Sequence, residues 1–152
     1  MAYNLTDTWR LNHRVNLLLL AALNGEQLAY LPNPRARNIA DQFAHLHNMR
    51  LQWLEVQAPA SAKQLRKIGK GAATVEALRE AFDASTEAFA QVLDEAERTG
   101  KLRAAKHGVF AFFAYLIAHE AHHRGQILVH LKHAGMPVDR ETAYGLWEWE
   151  KL

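Results

Sequence analysis

Apolar residues recur at helical spacing along four long stretches of this chain, and nowhere do they sustain the alternation a strand requires. No other feature constrains the fold as strongly. The first stretch runs from Leu5 to Leu23, with Leu5, Trp9, Leu19, Leu20 and Leu23 on one face, and stops at Asn24-Gly25. Pro32 and Pro34 hold the next segment out of helix. The second stretch, Ile39 to Gln57, opens on Asn38 as N-cap with Asp41 three residues on, a relative of the capping box, and Pro59 closes it. The third, Val75 to Arg98, has apolar residues at 75, 78, 82, 89 and 92, between Thr74 as N-cap and Gly100 as terminator. The fourth, Val109 to Ala134, ends where Gly135 supplies the C′ position and Pro137 blocks continuation.

These stretches predict an all-α protein, a four-helix bundle. A shorter helical tail is expected over Glu141 to Trp149, too aromatic to be left wholly in water and so packed on the bundle, the mouth of a site or a dimer partner. Residues 58 to 73 could stretch about 50 Å, against about 30 Å for a twenty-residue helix, so the second and third helices can run parallel with a crossover between them.

At 152 residues the chain can bury one core without disulfides, and one domain over residues 1–152 is expected. Cysteine is absent, which fits a reducing, cytoplasmic setting and limits any metal site to His, Asp or Glu. The run Leu17 to Leu23 lacks a small-x-small cleavage site after it and, at seven apolar residues, is too short to span a bilayer. Lys and Arg outnumber Asp and Glu by only 18 to 16, so no large positive field is available to bind nucleic acid. Two basic loops, one with Lys63, Arg66, Lys67 and Lys70, the other with Lys101, Arg103 and Lys106, are either solvated or receive an anionic cosubstrate.

The unusual count is nine histidines. His119-Glu120-Ala121-His122-His123-Arg124-Gly125-Gln126 lies within the fourth helix, where residues four apart share a face, so His119 and His123 can chelate one ion. A lone histidine reads as a hydrogen-bonded core residue; two at this spacing with others nearby read as ligands. His122 and His130 are candidates for a supporting role. The second helix offers a further ligand in either His45 or His47, which lie about 200° apart on the wheel, and periodicity leaves that choice open. In the first helix Asn12 and Asn16 interrupt the apolar stripe, with His13 at its edge; buried amides need partners, which are either local backbone or a ligand.

The fourth-helix segment, continued by Leu128, Leu131, Lys132 and Gly135, and the second-helix segment Ile39-Ala40-Asp41-Gln42-Phe43-Ala44-His45-Leu46, ending in Trp53-Leu54, resemble the DinB/YfiT-like family of metal-binding proteins over most of the chain. The resemblance implies up-down-down-up helix order, a homodimer, and a zinc or nickel ion held by His45, His119 and His123. It also implies chemistry on a small-molecule substrate, with a low-molecular-weight thiol as cosubstrate of an S-transferase reaction. Three protein ligands leave open coordination positions, as in catalytic sites. Glu120 and Gln126 are then candidate catalytic groups, and Asn12 and Asn16 candidate cofactor-binding groups.

Two other readings compete. A non-catalytic, dimeric stress or sensor module would use the ion for stability alone. His119-Glu120-Ala121-His122-His123 also satisfies H-E-x-x-H, in which Glu120 would be the general base of a hydrolase, but Gln126 and Val129 stand where the extended motif needs glycine and histidine.

Overall fold

The computed structural model describes residues 4–152, and among these there are helices and no strand. The four long helices are α1 (Leu5–Ala21), α3 (Ile39–Gln57), α5 (Val75–Thr99) and α6 (Val109–His133). Short helices α2 (Gly25–Ala29), α4 (Pro59–Ala62) and α7 (Arg140–Gly145) fill the connections and the tail. The expected caps hold: Asn38 accepts from the Asp41 amide, Thr74 accepts from the Ala77 amide, and Gly100 and Gly135 take the left-handed φ of 68° and 73° that ends a helix.

The punctuation does more than stop helices. Asn24 and Gln27 exchange side-chain and backbone hydrogen bonds in a full capping box, so Gly25 begins α2 instead of opening a loop, and α1 ends at Ala21. Pro59 likewise begins α4, because the first helical position needs no N–H. The tail divides into α7, capped by Asp139, and a 3₁₀ turn over Trp149–Lys151. Leu146 is buried, and Trp149 and Leu152 pack with it against one end of the bundle; Trp147 remains 82% exposed.

Cross-helix contacts give the order. Arg10 pairs with Glu87 and His13 with Asp83, so α1 and α5 are antiparallel. Phe43 packs on Phe82 while Leu54 shares a cluster with Phe89 and Leu93, so α3 and α5 are parallel and residues 58–74 form the crossover. Gln42 meets Gln126 and Trp53 meets Phe112, making α3 and α6 antiparallel. The bundle is therefore up-down-down-up.

Its core has two apolar clusters. One gathers Leu19, Leu20, Ile39, Phe43, Leu78, Phe82, Ile127 and Leu131, the other Leu5, Trp9, Leu54, Phe89, Leu93, Val109, Phe112 and Leu116. Between them lies a polar layer. The Glu120 carboxylate, 2% exposed, accepts from Arg50 Nε at 2.6 Å and Nη2 at 3.0 Å, and from the side-chain amides of Asn12 and Asn16, both at 2.6 Å. Arg50 also donates to Thr86 Oγ1 at 2.8 Å and lies 4.5 Å from the Trp9 ring centre, while Arg124 donates to Asn16 Oδ1 at 2.6 Å. Burial alone would push the Glu120 carboxyl up, but the Arg50 charge and the bonds from Arg50 and Asn16 outweigh it and hold the group below its ordinary value.

Removing one partner of a buried pair strands the other charge, at a cost of about 3–5 kcal/mol. Glu120→Ala is therefore expected to lose about that much stability in urea unfolding. A loss under about 1 kcal/mol would mean that the layer contributes little.

Candidate metal centre

The helix that sends Glu120 into the core turns its neighbours into the groove between α6 and α3. His119 and His123, one turn apart on α6, face His45 of α3, and each of the three offers a ligand nitrogen within 4.8 Å of the others. Ring centres are 4.7 Å apart for His45 with His123 and for His119 with His123, and 5.7 Å for His45 with His119. A zinc ion with nitrogens at about 2.0–2.1 Å draws them to roughly 3.4 Å from one another, so modest ring rotations complete the site and the donor set fits a divalent ion.

The rings are also in the right protonation state. Burial, then the positive charge of Arg37 and the neighbouring His119, push His45 down to about 4. Burial, then His119 and His45, push His123 down to about 4, and His119 is lowered chiefly by burial. All three imidazoles are neutral at pH 7, as ligation requires. Their folded values lie below the ordinary 6.5, so the unfolded chain binds protons first. The metal-free fold consequently loses stability as pH falls from about 6.5 toward 4.

Around this trio the supporting groups divide clearly. Gln42, 6% exposed on α3, places its amide nitrogen 3.3 Å from Nδ1 of His123 and 2.8 Å from Oε1 of Gln126. Were an ion held on Nε2 of His123, the proton would sit on Nδ1, and with the Gln42 and Gln126 amides both turned over the Gln42 oxygen would accept from that Nδ1–H and from the Gln126 nitrogen. Gln126 thus reaches the centre through Gln42. Tyr115, one turn before His119, stacks on its ring at 6.1 Å between centres.

The remaining candidates lie elsewhere. Asn12 and Asn16, both fully buried, bond Glu120 in the polar layer, and Glu120 gives both of its oxygens to that layer. His47 is 1% exposed and contacts the crossover through the Arg66 carbonyl at 2.9 Å, so of the two α3 histidines it is His45 that joins the trio. His13 pairs with Asp83, and His122 is exposed beside His123 at 5.3 Å between ring centres. His130 lies on the outer side of α6 with Val129 and Gly125. Sequence reasoning missed Gln42 and Arg50. The signal was present for both, since they fall on the stripe of Ile39, Phe43, Leu46 and Leu54, where a polar residue must find a partner.

The family model of the DinB family matches residues 1–150. No curated protein and no solved structure matches the chain.

If Gln42 orients His123, Gln42→Ala lowers affinity for zinc about 10–100-fold in competition with a chromophoric chelator, while saturating metal still fills the site. Unchanged affinity would leave Gln42 a packing residue.

Proposed function

The chain belongs to the DinB family, and on that premise we propose that it is a metal-dependent enzyme, a thiol-dependent S-transferase that holds zinc or nickel on His45, His119 and His123. The observation that carries this reading is the trio itself: three neutral, partly desolvated imidazoles from two helices, with no fourth protein ligand grouped with them among the described residues. Such a set leaves coordination positions for a substrate. A bound divalent ion would lower the pKa of a thiol so that thiolate is available near neutral pH.

The chain's own residues supply the rest. His45, His119 and His123, as neutral imidazoles, would hold the ion, and Gln42 would fix the orientation of His123. Beyond Tyr115 a cavity of about 400 Å³, lined by Trp53, Phe112, Tyr115 and the 104–108 loop, gives apolar space for the carbon electrophile. Attack forms the S–C bond, the leaving group departs with its electron pair, and the thiol proton passes to solvent.

A homodimer is part of this proposal, and Phe110 at 74% and Val129 at 51% exposed on α6 and Trp147 at 82% in the tail are apolar side chains a second copy could cover. No helix among the described residues is long and apolar enough to cross a membrane, which is consistent with action in the cytoplasm. The hydrolase reading is weakened by Glu120, whose oxygens are committed to Arg50, Asn12 and Asn16. A non-catalytic dimeric stress or sensor module would bind the same ion without turnover.

Zinc- or nickel-loaded protein is expected to accelerate conjugation of a chromogenic aryl chloride with glutathione or cysteine at pH 7, and metal-free protein and His45→Ala to lose that rate. Loaded protein that matches buffer with every thiol tried favours the non-catalytic module.

A further inference from the structure

A second cavity touches the histidine trio at His45. It encloses about 440 Å³ and is lined by Arg35 and Arg37 from the segment before α3, Lys70 from the crossover, and Asp41, His45 and Asn48 along α3. Three cations converge on it, and none of them is in a salt bridge among the described residues. Its single carboxylate is partly occupied, since Asp41 Oδ1 accepts from the Gly71 amide at 2.8 Å. The first turns of the 19-residue α3 add the positive end of a helix dipole.

The walls are tied together before any ligand arrives. Asn48 donates to the Ile68 carbonyl at 2.9 Å and accepts from the Ile68 amide at 3.0 Å, while His47 reaches the Arg66 carbonyl and Asp41 the Gly71 amide. Four side-chain hydrogen bonds from Asp41, His47 and Asn48 of α3 therefore hold the crossover that carries Lys70. A solvated basic loop needs no such anchoring, and charges gathered around a concave, pre-formed pocket raise the local concentration of anions.

We propose that this cavity is an anion subsite of the metal centre, binding the carboxylate or phosphate of a small-molecule ligand whose other end reaches the ion beside His45. This rests on the metal-dependent reading above and adds a substrate class to it: a thiol that also carries an acidic group, selected over a neutral thiol by Arg35, Arg37 and Lys70. His45 belongs to both the cavity and the trio, which makes the two sites continuous. Partly exposed charge pairs each contribute little, so the three together give a preference of about ten-fold or more.

The test has two arms. In the first, metal-free full-length protein labelled with ¹⁵N is titrated with inorganic phosphate and with succinate at constant ionic strength, beside the variant Arg35→Ala/Arg37→Ala/Lys70→Ala. Amide shifts confined to residues 35–48 and 68–71, with affinity about ten-fold weaker in the variant, support the subsite, and the tighter probe tells phosphate from carboxylate. Shifts that are absent, spread over Lys101, Arg103 and Lys106 as well, or unchanged in the variant overturn it. In the second arm, cobalt-loaded protein is titrated with 3-mercaptopropionate and with 2-mercaptoethanol, following thiolate-to-cobalt absorption. About ten-fold preference for the carboxylated thiol, lost in the variant at equal cobalt content, links the subsite to the ion; equal affinities overturn that link. Protein that takes up no cobalt contradicts the metal reading itself, and the phosphate arm still decides whether the cavity binds anions.

Discussion

The buried pair of Arg50 and Glu120 sets the relation between the two helices that carry the candidate site. Its charges lie between two apolar clusters, where an unpaired carboxylate or guanidinium would be costly, so α3 and α6 must stay in the register that joins them. Asn12, Asn16, Ser85 and Thr86 bring α1 and α5 into the same layer, and every long helix contributes to satisfying one carboxylate or its partner. Sliding α3 by one turn would break this set at once. The same register puts His45 opposite His119 and His123, so the layer that specifies the bundle also assembles the trio.

The fourth helix does both tasks through a four-residue repeat. His119 and His123 form one stripe and Glu120 and Arg124 the next, about 100° around the helix. The first stripe faces the groove and the second faces α1 and the core. What reads in the sequence as an H-E-x-x-H motif is thus two adjacent stripes with separate partners. Desolvation disfavours charge on both stripes, with opposite outcomes: it keeps the histidines neutral for a cation, while Glu120 stays ionised because Arg50 and the amides outweigh its burial.

Much of this was legible in the sequence. The long helices, their caps at Asn38 and Thr74 and their stops at Gly100 and Gly135 follow from local rules of periodicity and hydrogen-bond satisfaction, whereas chain length only allowed the parallel crossover and the family resemblance implied it. Pro59 closes α3 after Gln57 as expected; what the sequence did not announce is that Pro59 and Gly25 also begin the short helices α4 and α2, since a residue that ends one helix can equally begin another, and at Gly25 the outcome depends on Gln27 completing the cap. Asn12 and Asn16 announced a need for partners without identifying them, since Glu120 lies more than a hundred residues away along the chain. The choice between His45 and His47 was likewise nonlocal. It turns on which side of α3 the crossover occupies, and His47 is held there by a carbonyl of that crossover.

The central claim is that three specific imidazoles, and not the histidine-rich surface at large, form a divalent-ion site. Elemental analysis tests it most directly, on purified untagged protein dialysed against a weak chelator, with wild type beside His45→Ala, His47→Ala and His123→Ala. The account predicts about one ion per chain in wild type and His47→Ala, lost in His45→Ala and His123→Ala. No bound ion in wild type after reloading with zinc or nickel, or equal loss in His47→Ala, would contradict it.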